Sequence, residues 1–64
     1  MVKICLNCIV KNESKIIKRM LNQLKDFIDY FVILDTGSTD NTIDLINEWS
    51  DETNIKGEIY QSTF

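Results

Sequence analysis

The chain has no histidine, one pair of cysteines, no excess of basic residues and no long apolar run. Without histidine or a second cysteine pair, it lacks the roughly four ligands that a structural zinc site needs. Its 7 lysines and arginines are outnumbered by 10 acidic residues, so little positive charge is available to neutralise the phosphates of a nucleic acid. The apolar runs are only a few residues long, which excludes a transmembrane helix.

What remains is the composition of a small globular protein. Hydrophobic residues make up 44% of the 64 residues and charged residues 27%, which excludes a disordered tail, a collagen-like repeat and a disulfide scaffold. A chain of this length buries only about 60% of the surface that its unfolded form exposes. We therefore expect at most one domain, with a narrow margin of stability.

Cys5 and Cys8 form a C-x-x-C sequence. A redox-active pair sits at a helix N-terminus, whereas this pair lies in an apolar run typical of a strand. Three residues of extended chain separate the two Cα atoms by roughly 10 Å, beyond the reach of a disulfide. We predict buried, reduced, structural cysteines. Reduced thiols fit the cytoplasm, and Met1 and Val2 lead into the apolar run without the pattern of a secretory signal, so we predict a cytoplasmic protein.

The hydrophobic periodicity predicts five elements in the order β-α-β-α-β. They are a strand over residues 4–10, an amphipathic helix over 14–28, a strand over 30–34, a helix that begins near residue 40 or 41 and frays over 50–54, and a strand over 58–61. Alternation of strands and helices indicates a parallel sheet with right-handed crossovers. The predicted fold is therefore α/β, a three-layer Rossmann-like half-domain.

Local signals add three expectations. The first strand is apolar at nearly every position, which predicts that both of its faces are covered. Asn12 can cap the first helix, because its side-chain oxygen can accept an N–H of the first turn. Gly57 is predicted to break the chain before the third strand.

Two polar loops follow the first two strands, at the edge of a parallel sheet where ligands bind. The first loop is Lys11-Asn12-Glu13, and the second runs over residues 35–40 as Asp-Thr-Gly-Ser-Thr-Asp. Asp35 can accept hydrogen bonds from a sugar hydroxyl or a base N–H, and Gly37 allows a positive φ or a close ligand. Ser38 and Thr39 can donate to a ligand or cap the next helix. A capped turn without a ligand is the alternative.

Several signatures compete for this second loop. An apolar strand followed by Asp-Thr-Gly-Ser also occurs at the active-site turn of aspartic proteases, but there in an all-β fold rather than between helices. A haloacid-dehalogenase motif needs a second aspartate where Gly37 stands. A response-regulator receiver needs an acidic cluster after its first strand, which Glu13 alone does not supply. No Gly-x-Gly-x-x-Gly or Walker A sequence is present.

Over residues 3–61 the chain resembles the N-terminal part of family 2 glycosyltransferases, the nucleotide-diphospho-sugar transferases of the GT-A fold. Their pattern is an apolar strand ending in Asn-Glu, an amphipathic helix, an apolar strand, and an Asp-x-Gly-Ser-x-Asp loop that enters a helix. This chain has each part in that order. Lys11 stands where many members carry an aromatic residue, and Thr36 where many carry a second aspartate. One branch, which builds glycans like those of the lipopolysaccharide core, shares both features.

The resemblance implies an enzyme that transfers a sugar from a nucleotide-sugar of the UDP or GDP class. It implies nucleotide-sugar-binding roles for six residues: Asn12, Glu13, Asp35, Thr36, Gly37 and Ser38. The family's metal-binding Asp-x-Asp and its catalytic base come later in the sequence, so no catalytic or metal-binding residue is predicted here. A divalent cation, Mn or Mg, is expected for the complete enzyme.

Residues 1–64 are accordingly predicted to be a single incomplete domain, the N-terminal nucleotide-binding half of a glycosyltransferase domain. Such a half is expected to need the missing C-terminal half or a partner chain for catalysis. No nucleic-acid partner and no transmembrane segment are expected. The alternative is a non-catalytic small α/β module, or a remnant, that binds a nucleotide or a protein partner.

Overall fold

The computed structural model describes residues 3–62. Its elements are β1 (Cys5–Val10), α1 (Ile17–Leu24), β2 (Tyr30–Asp35), α2 (Thr42–Thr53) and β3 (Lys56–Gln61). The three strands form one sheet in the order β1-β2-β3, and both pairs are parallel. The predicted α/β class with a parallel, Rossmann-like sheet is confirmed. Residues 1–2 and 63–64 of the predicted domain lie outside the described range, and so does the prediction about a secretory signal at Met1 and Val2.

The register of the sheet brings the ends of its strands together. Val10 of β1 pairs with Asp35 of β2, and Asp35 pairs with Gln61 of β3. The two polar loops therefore leave the sheet from adjacent strands at the same edge, as the sequence predicted.

Both helices cover one face of this sheet, so residues 3–62 form two layers rather than the three that the sequence predicted. Strands in sequential order with right-handed crossovers place successive helices on the same side. The buried core between the layers consists of Val10, Ile17, Leu21, Ile28, Phe31, Ile33, Ile46 and Trp49. Trp49 packs edge-on against Phe31 with ring centroids 5.9 Å apart.

The other face of the sheet carries no helix within this range. Ile9 is 71% exposed there, and Val32 and Leu34 are only half-buried. The expectation that the first strand is covered on both faces is therefore wrong for these residues. Cys5 also lies on this face and is exposed, and Cys8 is half-buried on the helix face. The prediction that both cysteines are buried is therefore wrong for Cys5 and holds only in part for Cys8, and both are free thiols.

The helices differ in length from the prediction. α1 is shorter, with turns on either side of it, and ends at Leu24. This early end leaves Phe27 66% exposed and lets Ile28 turn into the core. α2 is longer, because it continues to Thr53 instead of fraying from Ser50, and Asn54 ends it in the left-handed conformation at φ 60°.

Gly57 lies inside β3 rather than before it, since the strand begins at Lys56. A Cβ atom at this position would overlap the ring and the carbonyl oxygen of Phe31. The glycine therefore lets β3 lie close to β2 while the Phe31 ring occupies the space above it.

Candidate functional site

The two loops at the carboxyl edge of the sheet contact each other directly. The first loop is defined here as residues 11–14, between β1 and α1, and the second loop as residues 36–41, between β2 and α2. Asp35 is the last residue of β2. All six residues of the predicted site lie in these loops or at this strand end.

Asp35 is buried, with 1% of its surface exposed, and its carboxylate faces the start of the second loop. One oxygen accepts the Ser38 hydroxyl. The other accepts the backbone N–H groups of Ser38 at 3.0 Å and Gly37 at 3.4 Å. Gly37 has φ 113°, which a residue with a Cβ rarely adopts, so the tight turn around the carboxylate requires glycine.

These contacts set the charge state of Asp35. Burial alone would raise the pKa of its carboxyl group, but the hydrogen bonds from Ser38 and Gly37 outweigh burial and lower the pKa below its usual value. Asp35 is therefore an ionised, internally satisfied carboxylate at the physiological pH. Its hydrogen bonds to Gly37 and Ser38 hold the start of the second loop in place.

Asn12 joins the first loop to the second. Its backbone N–H donates to the Ser38 hydroxyl at 2.8 Å, and its side-chain oxygen accepts the backbone N–H of Thr39 at 2.8 Å. The Thr39 hydroxyl lies 3.4 Å from the same oxygen. Asn12 therefore does not cap α1 as predicted; the side-chain oxygen that was expected to bond the first turn bonds the other loop instead, and no side chain at the N-cap of α1 replaces it.

Three successive backbone N–H groups of the first loop donate to side chains beyond β2. Asn12 donates to Ser38, Glu13 donates to the Thr42 hydroxyl at 2.9 Å, and Ser14 donates to Asp40 at 3.3 Å. The chain entering α1 is thus capped by residues 26 to 29 positions away in sequence.

Asp40 and Thr42 complete this arrangement at the start of α2. Asp40 accepts both the backbone N–H and the hydroxyl of Thr42, the first at 3.0 Å. Hydrogen bonds from Thr42 and Ser14 lower the pKa of Asp40 to about 2, against an opposing effect of burial. α2 begins at Thr42, within two residues of the predicted start. Thr42 and Ser14 were not singled out from the sequence, and a hydroxyl two residues after Asp40 is the one signal that could have indicated the role of Thr42.

Among the other residues of the two loops, Thr36 is held by hydrogen bonds, whereas the charged groups of Glu13 and Lys11 are not. Thr36 bonds the carbonyl of Val10 through both its N–H, at 3.0 Å, and its hydroxyl, at 3.2 Å, which ties β2 to the end of β1. Glu13 is half-buried beside a groove of about 210 Å³ between β1 and α1, which Cys8 and Met20 also line. Lys11 is exposed. Within residues 3–62, no hydrogen bond or ion pair engages the charged groups of Glu13 and Lys11.

A cation site does not emerge from these side chains. Among residues 3–62, no group of three or more His, Cys, Asp or Glu side chains lies close enough together to hold a metal ion. Asp35 and Asp40 already accept several hydrogen bonds within the chain. The donor set at this edge therefore does not fit a divalent cation, whose ligands the family resemblance places later in the sequence.

Comparison with known proteins relates the chain to glycosyltransferases. It is 43% identical over 56 residues to the SPbeta prophage-derived glycosyltransferase SunS of Bacillus subtilis (strain 168), and equally to glycosyltransferase SunS of Bacillus phage SPbeta. The match covers 88% of this chain and 13% of each relative, so the chain spans about one eighth of the length of the curated relatives it matches. A match over 56 of 64 residues includes both loops. No family model and no solved structure matches the chain. No helix in residues 3–62 is long and apolar enough to cross a membrane.

Proposed function

We propose that this chain is the nucleotide-binding part of a glycosyltransferase of the family 2 type with a GT-A fold. The complete enzyme would transfer a sugar from a UDP- or GDP-sugar to an acceptor, and residues 1–64 would be the N-terminal half of its catalytic domain. The proposal includes a cytoplasmic location, in keeping with the free thiols of Cys5 and Cys8.

One observation carries the proposal. Asn12 belongs to the Asn-Glu sequence and Ser38 to the Asp-x-Gly-Ser-x-Asp sequence that define the resemblance. The two residues are 26 positions apart, yet they are hydrogen-bonded at 2.8 Å. They meet at the carboxyl edge of a parallel sheet, where open α/β sheets bind their ligands. The similarity to the SunS glycosyltransferases extends over both sequences and supports the same proposal.

The site residues divide into two groups in this proposal. Asp35, Gly37 and Ser38 shape the loop that faces the nucleotide, because their polar groups already bond one another. Among residues 3–62, the charged groups of Glu13 and Lys11 have no hydrogen-bonding or ionic partner, and both residues lie at the same edge. Glu13 can accept an N–H of the base or a hydroxyl of the ribose, and Lys11 can attract the diphosphate.

Sugar transfer needs groups beyond these. The leaving diphosphate requires compensating positive charge, and the acceptor requires a base. A divalent cation would supply that charge in the complete enzyme, from ligands outside residues 3–62. The residues at this edge bind and orient the nucleotide.

The test is an amide NMR titration of the 64-residue chain with UDP and GDP in the presence of Mg²⁺. We expect shifts confined to residues 12–13 and 35–39. Ser38→Ala should weaken the binding, because it removes a hydroxyl that links Asp35 to Asn12. Ser50→Ala is the matched control, since it removes a hydroxyl that bonds the Ile55 carbonyl between α2 and β3. Absence of localised shifts with both nucleotides would contradict the proposal for this chain.

A nucleotide-binding module without transferase chemistry is the second candidate. It needs no base and no cation ligands, and the hydrogen-bonded carboxylates of Asp35 and Asp40 supply neither within residues 3–62. Nucleotide binding by a longer form of the protein without release of UDP or GDP from any nucleotide-sugar would support this candidate over the first.

A further inference from the structure

We propose that Asn12 is a positioning residue that holds the second loop in its binding form, rather than a residue that contacts the nucleotide through its side chain. This inference deepens the proposed function and rests on it. The resemblance alone places Asn12 beside the nucleotide, and local sequence rules make it a helix cap. The geometry points to neither role for its side-chain oxygen.

The hydrogen bonds between Asn12 and the second loop run in fixed directions. The Asn12 N–H donates to the Ser38 hydroxyl, so that hydroxyl must use its own hydrogen elsewhere, and it donates to the Asp35 carboxylate. The Asn12 side-chain oxygen accepts the next backbone N–H along the loop, that of Thr39. Asn12 is thus hydrogen-bonded to Ser38 through its backbone and to Thr39 through its side chain.

The backbone conformation of Asn12 allows both hydrogen bonds to form. Its φ of 50° lies in the left-handed region, which among residues with a side chain asparagine adopts comparatively easily. The residue must therefore combine tolerance of positive φ with a side-chain acceptor of the right length. Glycine meets only the first requirement, and aspartate meets both.

The positions of these two hydrogen bonds determine which part of the second loop Asn12 orders. Asp35 orders the second loop from within, through Gly37 and Ser38, but its bonds do not reach Thr39. Asn12 holds that next residue, and it does so from the loop that follows the neighbouring strand. Loss of the acceptor should free the loop beyond Ser38 while leaving the turn at Asp35 intact.

Asn54 provides a matched control. It also has a positive φ, 60°, but it ends α2, away from the two loops. Asn12→Gly and Asn54→Gly are the same chemical change in the same backbone conformation. Asn12→Asp restores the acceptor and is the rescue variant for loop order, although its added charge disqualifies it as a test of nucleotide affinity.

The experiment measures two quantities on the 64-residue chain: hydrogen exchange at the Thr39 amide, relative to the Ile46 amide in the core, and the Kd for UDP with Mg²⁺. One hydrogen bond contributes about 1 kcal/mol, so Asn12→Gly should speed relative exchange at Thr39 about fivefold. Asn54→Gly and Asn12→Asp should leave it near the wild-type rate. The Kd for UDP should rise by a similar factor in Asn12→Gly and stay unchanged in Asn54→Gly.

The outcomes separate the inference from the function on which it rests. Unchanged exchange at Thr39 in Asn12→Gly overturns the inference, whether or not UDP binds. Faster exchange with an unchanged Kd also overturns it, because the order of the loop would then not matter for binding. If the wild-type chain binds neither UDP nor GDP, the proposed function fails for this chain, and faster exchange in Asn12→Gly alone would still support Asn12 as the residue that holds the loop.

Discussion

The backbone N–H of Glu13 donates to the hydroxyl of Thr42 at 2.9 Å, and so joins the loop after the first strand to the first residue of the second helix. The same hydroxyl donates to Asp40. Thr42 is fully buried, so water cannot replace either bond. A side chain that resembles an ordinary helix-start residue in the sequence thus connects the two loops of the candidate site.

Thr42→Val should test this connection, because it preserves the shape of the side chain and removes the hydroxyl. It leaves the Glu13 N–H without an acceptor, which should lower the free energy of unfolding by about 1–3 kcal/mol. Thr53→Val is the control: the Thr53 hydroxyl donates to the Trp49 carbonyl and accepts the Ile55 N–H at 3.3 Å in a half-exposed position, where water can compensate. Urea unfolding measures both variants, and an equal cost for the two would contradict the role of Thr42.

Gly57→Ala should destabilise the sheet. The new Cβ would overlap the ring and carbonyl of Phe31, a core residue that also packs on Trp49. Overpacking of this kind typically costs about 1–3 kcal/mol. Lys56→Ala, at the adjacent exposed position, should change the free energy of unfolding by less than about 0.5 kcal/mol. A Gly57→Ala chain as stable as Lys56→Ala would show that β3 can move away from Phe31 without cost.

The sequence predicted the sheet well because its signals are local. Runs of apolar and β-branched residues indicate strands, and their alternation with helices indicates a parallel sheet, so the position of both loops at one edge followed. Coverage of the sheet was harder to predict. An apolar strand indicates burial on both faces, yet Ile9 on the open face is exposed and Ile33 on the helix face is buried.

The hydrogen-bonding roles could not be read from the sequence, because the partners are distant. Asn12 has the chemistry of a helix cap, and nothing in its neighbourhood shows that Thr39 competes for its oxygen. Asp35 has the chemistry of a ligand-binding carboxylate, and its burial depends on a turn that the Gly37 backbone and the Ser38 hydroxyl complete. The missing side-chain cap of α1 has the same origin. The backbone N–H groups that precede this helix donate to side chains beyond β2, which are distant in sequence.

Acid should destabilise the fold partly through the second loop. Hydrogen bonds from Thr42 and Ser14 hold the pKa of Asp40 at about 2, below the ordinary 3.8, and those from Ser38 and Gly37 lower the pKa of Asp35 against the effect of burial. Because each folded-state pKa is depressed, the contribution to stability is present above the ordinary pKa of about 4 and is lost as the pH falls through the folded-state value.

The measurement is the urea midpoint at several pH values between about 2 and 6. Asp40→Asn should flatten the decline below about pH 4, because its amide cannot gain the proton that breaks these bonds. Asp51→Asn, at an exposed position of α2, gives the background effect of removing one carboxylate. Coincident pH curves for the wild type and Asp40→Asn would show that the bonds to Asp40 do not contribute.

The two cysteines should differ in reactivity, although they lie on the same strand. Cys5 is exposed on the open face of the sheet, whereas Cys8 is half-buried beside α1. Burial raises the pKa of Cys8, and the negative charge of Glu13 raises it further. Because the thiolate is the reactive form, a maleimide at pH 7–8 should modify Cys5 first.

Single-cysteine chains make this measurable by mass spectrometry. Cys8→Ser leaves the fast thiol and Cys5→Ser the slow one. In the Cys5→Ser background, Glu13→Gln should accelerate modification of Cys8, because it removes the charge that opposes the thiolate. Glu48→Gln, which alters a carboxylate on α2 that pairs with Lys18, should not. If Glu13→Gln leaves the rate unchanged, the Glu13 carboxylate points away from the groove between β1 and α1, and it would then be free to face a ligand above the sheet edge.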